Sequence, residues 1–129
     1  MANVRTLKVT ARQAAFAVVG SGTATISAYD MVHSRQTLDA ANAVYTISDI
    51  AYDVNNSSNI TRGGNLVFAC NAGQNELNFT DSIGAVLNDK SSSNVIVNLG
   101  ASEGTIIIQF SKGDGFIDPD RQNQGPGSL

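Results

Sequence analysis

The feature that most limits what this chain can become is the shortness of its apolar runs. They are broken at close intervals by residues that turn a backbone. Turn signals fall at Gly20-Ser21-Gly22, Asn55-Asn56-Ser57-Ser58, Gly63-Gly64, Asn71-Ala72-Gly73, Asp81-Ser82, Asn88-Asp89-Lys90-Ser91, Gly100 to Gly104 and Gly113-Asp114-Gly115. Between them lie short stretches rich in Val, Ile, Thr, Phe and Tyr. A helix wants ten or more residues of 3.6 periodicity, which this punctuation denies almost everywhere. Many short strands at such spacing are the pattern of an all-β sandwich or barrel.

The runs alternate with period two, as half-buried strands do. In Val4–Ala11, Leu7, Val9 and Ala11 share one parity; in Thr23–Tyr29, Ala24, Ile26 and Ala28 do. In Ala43–Ala51 the set Tyr45, Ile47, Ala51 is interrupted by Asp49. Glu76–Thr80 sets Leu77 and Phe79 against Asn78 and Thr80. Leu66–Cys70 and Asn94–Leu99 are more continuously apolar and read as central strands covered on both faces. Thr105–Phe110 carries three consecutive isoleucines between Glu103 and Lys112, charges that guard a strand against aggregation. Ser34–Asn42 is the one window offering a helical turn or two, with Ser34 as the cap. Gly20-Ser21-Gly22 and Gly63-Gly64 lack the following helix and Lys-Ser/Thr pair of a phosphate cradle, and read as hairpin or bulge glycines.

Composition narrows the function classes. Charged residues are 15% and hydrophobic ones 42% of 129 residues. Asn, Ser, Thr and Gln fill 41 positions, so neutral polar groups wet the surface. The net charge is −3, with three lysines and five arginines scattered along the chain, which argues against a nucleic-acid partner. Runs such as Ala14–Val19 fall far short of the ~20 residues a membrane helix needs. The opening Met-Ala-Asn-Val-Arg-Thr has no apolar signal core, and the lone Cys70 permits no internal disulfide, so synthesis in a cytosol is expected.

Little in the chain suggests bond-making chemistry. His33 is the only histidine and has no triad or Cys-His signature around it. His33 and Cys70 together fall short of the four ligands of structural zinc. Most of the nine aspartates sit in turns, where they hydrogen-bond their own backbone. Asp114, Asp118 and Asp120 offer hard oxygen ligands without the order of an EF-hand loop, so a solvated turn is expected there in preference to calcium. The four Asn-x-Ser/Thr sequons, at Asn55, Asn56, Asn59 and Asn78, are no excess over the about two expected by chance. Phe16, Phe68, Phe79 and Phe110 read as core, while Tyr29, Tyr45 and Tyr52 are the candidates for exposed rings on which a sugar would stack.

Fifteen alanines in a small domain bury little area each, so shared burial between subunits would offset a marginal core. An open sheet edge invites a neighbour's strand or arm. Residues 118–129, Asp-Pro-Asp-Arg-Gln-Asn-Gln-Gly-Pro-Gly-Ser-Leu, hold both prolines and little apolar surface, and read as a polar tail after a domain spanning 1–117.

Two stretches, AVYTISDIAYDVNNSSNITRGGNLVFACNAGQNELNFTDSIGAVLND (43–89) and NVIVNLGASEGTIIIQFSKGDGF (94–116), resemble small β-sandwich virion proteins of tailed bacteriophages, those that decorate or cement the head. The resemblance lies in texture: Arg-Gly-Gly, Gly-Gln-Asn, and Asn, Ser and Thr alternating with aliphatics. It implies many copies on a capsid, as trimers or dimers, bridging major capsid subunits. No family motif maps residue by residue.

The expectation is therefore all-β: an antiparallel β-sandwich of about eight strands, jelly-roll or Greek-key-like, with flexible N- and C-terminal arms. The expected function is non-enzymatic, a capsid decoration protein made in the host cytoplasm and carried in the virion, with no cofactor, metal, nucleic acid or membrane. A neck or tail component and a carbohydrate-binding module for host surfaces are the alternatives. The expected interface comprises Val4, Arg5, Leu7 and Val9 at one end, and Phe116, Ile117, Asp118, Pro119 and Arg121 at the other.

Overall fold

The computed structural model describes residues 2–78 and 92–118. Its strands are β1 (Asn3–Val9), β2 (Gln13–Ile26), β3 (Thr37–Leu38), β4 (Tyr45–Val54), β5 (Ser58–Arg62), β6 (Asn65–Cys70), β7 (Gly73–Asn78), β8 (Val95–Lys112) and β9 (Phe116–Ile117). A 3-10 turn, Ala28–Met31, follows β2, and no α-helix occurs among the described residues. Every strand pair is antiparallel. The fold is all-β, as the alternation predicts. Seven strands belong to one curled sheet in the order β1-β2-β8-β4-β7, with β5 and β6 branching from β8, while β3 and β9 form a separate ribbon.

Two long strands organise the sheet. Gly104–Lys112 of β8 pairs with β4, Val95–Asn98 pairs with β5, and β2 follows the other side of β8 along both parts. The β2–β8 ladder shifts register between Gly20 and Gly22 and again at Thr23: Gly20 faces Gly104, and Gly22 faces Gly100. Of the roles expected for Gly20-Ser21-Gly22, the bulge is the one realised. The signal from Gly100 to Gly104 is not a loop but the matching bend in β8, since an extra residue in a ladder bends a strand without ending it. Asn55 ties this bend to the end of β4: its side-chain oxygen accepts the Glu103 N–H at 2.8 Å.

Two further bulges explain why strict alternation misassigns residues. β4 shifts register between Ile47 and Asp49, so Ser48 is the extra residue. Inward positions are Tyr45 and Ile47 before it, and Ile50 and Val54 after it. The interruption at Asp49 is this bulge, and Ala51 falls outside the core. In β1 the shift lies between Thr6 and Lys8, leaving Leu7 as the extra residue. Where the ladder is regular, alternation holds: Phe16 and Val18 lie in the core with Ala17 outside it, as do Ile106 and Ile108 with Ile107 between them.

Several expectations need correction. Ser34–Asn42 forms no helix: Ser34 and Arg35 make a turn, and Thr37–Leu38 pairs with Phe116–Ile117. Ser58 opens β5 instead of closing a turn. Leu66–Cys70 does not form a doubly covered strand; β6 pairs only with β5 among the described residues, and Leu66 is exposed. The β5–β6 connection is a two-residue hairpin with Arg62 facing Asn65. Gly63 and Gly64 take φ of 59° and 81°, the pair of positive values a type I′ turn demands and only glycine adopts freely. Residues 3–9 are not a free arm but the strand at one edge of the sheet. Phe79 lies outside the described residues.

One apolar cluster draws on both parts of the long strands: Phe16 and Phe110 from one, Ile26, Val95, Val97 and Leu99 from the other. Both parts of the curled sheet therefore contribute to a common core. Phe16, Phe110, Tyr45 and Phe116 run through it edge to face, with centroids 6.0, 5.6 and 6.5 Å apart. Such T-shaped contacts place a positive ring edge against a negative face. Tyr45 is thus wholly buried, not a surface ring. Its hydroxyl donates to the Ser93 carbonyl at 2.8 Å, and the Arg62 guanidinium stacks 4.1 Å above its ring centre.

Candidate interaction surface

The expected interface residues that are described fall in two places, along β1 and in the segment 116–118, and the second lies near the end of β1. β1 hydrogen-bonds to β2 on one side, and its other side pairs with no strand among the described residues. Along it Val4 is 37% and Leu7 53% exposed, while Arg5 points to solvent and Val9 packs against the core. The Leu7 bulge places an apolar side chain at the rim. Bulges do this because the extra residue is released from the pleat.

The C-terminal group divides. Phe116 is buried, with its ring against Tyr45 and the Lys112 ammonium 4.9 Å from its centre, so it belongs to the core and is not available to a partner. Ile117 pairs with Thr37, and Asp118 accepts a 2.7 Å hydrogen bond from Gln36 Nε2. Pro119, Asp120 and Arg121 lie outside the described residues, as does the tail beyond them.

A buried polar network joins these two places. Lys112 ends β8, and its ammonium donates to the Thr10 carbonyl at 2.7 Å and to Gln36 Oε1 at 2.8 Å. Gln36 Nε2 donates in turn to the Ala11 carbonyl at 3.0 Å and to Asp118. Each polar atom taken from water here has a partner, as burial requires. Burial lowers the Lys112 pKa from 10.5 to about 8, against the opposing pull of the Asp118 charge. Position 118 is thereby pinned beside the β1–β2 turn. The sequence offered no sign of this, because Gln36 and Lys112 each read locally as surface residues.

The remaining candidates lie apart. The His33 imidazole Nδ1 accepts the Arg35 N–H at 3.2 Å inside the turn preceding β3, an ordinary backbone-capping role. Cys70 is buried, and burial pushes its thiol pKa up to about 11, leaving it protonated and unreactive near neutrality. Among the described residues no group of three or more His, Cys, Asp or Glu side chains converges. Asp114 is exposed in the turn before β9, where its carbonyl accepts the Val44 N–H at 3.0 Å. Tyr52 is half-buried against Phe68, at 6.2 Å between centroids, which leaves Tyr29 as the tyrosine that presents an open ring.

Sequence reasoning missed the outer face of β1-β2-β8-β4-β7. Ala15 and Ala17 are covered yet stand outside the core cluster, and Val19 and Ile107 are partly exposed beside them. A shallow depression of about 580 Å³ lies on this face around Ala51, Glu76 and Ile107. The alanine-rich run Ala14–Val19 was the available signal, because small residues alternating with core residues make a flat sheet surface. Comparison of the chain with protein families, with curated proteins and with solved structures returns no match.

Proposed function

We propose that this protein is a non-enzymatic virion module, a decoration protein that docks on repeated neighbours of an assembled head through the β1 edge. The observation that carries this reading is that edge: a strand with one side unpaired among the described residues, bearing exposed Val4 and Leu7. Unpaired N–H and C=O groups beside apolar side chains are what strand addition uses. The pinning of Asp118 beside Thr10 and Ala11 adds to it, because the chain beyond 118 then departs from the foot of β1.

The mechanism is mechanical. Weak contacts repeated on a symmetric lattice gain from multivalency, and a protein that binds only the assembled shell stabilises it by mass action. The experiment mixes the purified chain with assembled heads of the phage that encodes it, then sediments the heads. The wild type is expected to travel with the heads and to raise the temperature at which they break. Leu7→Asp, on an exposed position the fold does not need, is expected to weaken that binding. A wild-type chain left in the supernatant sinks the reading. A glycan array tests the sugar alternative, in which saturable binding lost in Tyr29→Ala would replace it.

A further inference from the structure

We propose that the outer face of β1-β2-β8-β4-β7 is a docking surface for a second copy of this chain, related by a twofold axis parallel to the strands. The proposal deepens the assembly reading and rests on it for its biological setting, but not for its geometry.

The ladder aligns outward residues into rows across the five strands. The central row runs Arg5, Ala17, Ile107, Ala51, Glu76. Its middle is apolar and low, and its ends carry opposite charge. Lys8 joins Arg5 on β1, while Asp53, exposed on β4, joins Glu76 on β7. Four strand spacings separate β1 from β7, about 19 Å, so Arg5 and Glu76 cannot pair within one chain. The face is therefore polarised, basic along one margin and acidic along the other.

Charge and symmetry together select the arrangement. Two such faces packed with a twofold axis along the strands place β1 of each copy over β7 of the other. Arg5 of each copy then lies over Glu76 of the other, twice over, while Lys8 and Asp53, in rows on either side of that one, add to the charge of the two margins. An axis across the strands would instead set β1 over β1 and oppose like charges, which costs binding. In the selected arrangement the axis passes over β8, the middle strand, and Ile107 of the two copies meet at the centre. Ala15, Ala17 and Ala51 keep the flanks low enough for the roughly 10 Å spacing of stacked sheets. A face of five strands is about 24 Å across, near the small end of specific interfaces, so the dimer is concentration- and salt-dependent.

The test is sedimentation velocity and light scattering on the full chain over a concentration series at low and high salt. A dimer is expected that weakens as salt rises. Arg5→Glu and Glu76→Arg are each expected to raise the dissociation constant about tenfold, and the double variant to restore it, because swapped charges meet again across the axis. Ala17→Arg is expected to give a folded monomer. A wild-type chain that stays monomeric throughout, a dimer indifferent to Ala17→Arg, or a double variant weaker than either single one overturns the proposal. A wild-type monomer that still sediments with heads overturns only this dimer. A dimer that never binds heads overturns only the decoration reading.

Discussion

Lys112 and Gln36 lie 76 positions apart in the chain, yet the Lys112 ammonium donates a 2.8 Å hydrogen bond to the Gln36 side-chain oxygen. That bond holds the end of the longest strand against the loop before β3, and Gln36 passes the connection on to Ala11 and Asp118. The network is the clasp by which the foot of β1 and the exit of the C-terminal segment are kept together.

The clasp makes stability depend on pH. The Lys112 pKa is about 8 in the fold and 10.5 ordinarily, because burial disfavours the charge. Between those values the unfolded chain holds a proton that the folded chain releases. This site therefore weakens the fold below pH 8 and relieves it as pH rises from about 8 towards 10.5. Urea midpoints of wild type and Lys112→Met, compared from pH 7 to pH 10, are expected to diverge in favour of the wild type as pH rises. Parallel curves contradict the assignment.

Truncation separates core from tail. Removing 119–129 is expected to leave the urea midpoint of folding unchanged. Cutting at 116 removes the ring packed on Tyr45 and Lys112, together with the Asp118 acceptor. Phe116→Ala alone is expected to cost about 3 kcal/mol, the low end for a buried phenylalanine because the site lies at the rim of the core. An unshifted midpoint for Phe116→Ala would place the ring outside the core.

Gly104 sits where β8 passes against β4. A methyl group there meets the Asp53 carbonyl oxygen and, at 2.8 Å, the Val54 Cα. Neither backbone atom is free to move. Gly104→Ala is expected to lose about 1–3 kcal/mol in denaturant titration, and wild-type stability in that variant would refute the close approach.

Tyr45 and Arg62 share one acceptor. Both the Tyr45 hydroxyl and Arg62 Nε donate to the Ser93 carbonyl, at 2.8 and 3.0 Å. Tyr45→Phe leaves that carbonyl partnered and is expected to cost about 1 kcal/mol or less. Arg62→Ala also removes the guanidinium over the ring and is expected to cost several times more. A reversed order of the two effects would mean that the stack contributes nothing.

Cys70 reports the integrity of the β5–β6 wing. Its burial predicts no labelling by a thiol reagent at pH 8 in the native protein and full labelling once denaturant exposes it. Prompt native labelling would show that this wing opens.

What could be read without a structure was whatever depends on neighbours in sequence. Alternation set Ala24 with Ile26, and Tyr45 with Ile47, on one parity, and these four lie in the core; the paired glycines at 63 and 64 were legible as a hairpin or a bulge, because side-chain parity and positive φ are local properties. Parity failed where a bulge intervened, at Leu7 and Ser48, since an extra residue shows only against the partner strand. The helix expected over 34–42 gave way to a distant partner: Leu38 pairs with Phe116 and Gln36 is drawn into the clasp.

The chain by itself determined an antiparallel β protein, through the period of its apolar residues and the density of its turn formers. Only the tertiary structure decided that Gly20 and Gly104 mark a bend shared by two long strands and that Arg62 and Lys112 are buried. It alone set Arg5 and Glu76 at opposite ends of one row. Each of these is a relation between segments far apart in sequence, and such relations exist only once the strands have chosen their partners and their register.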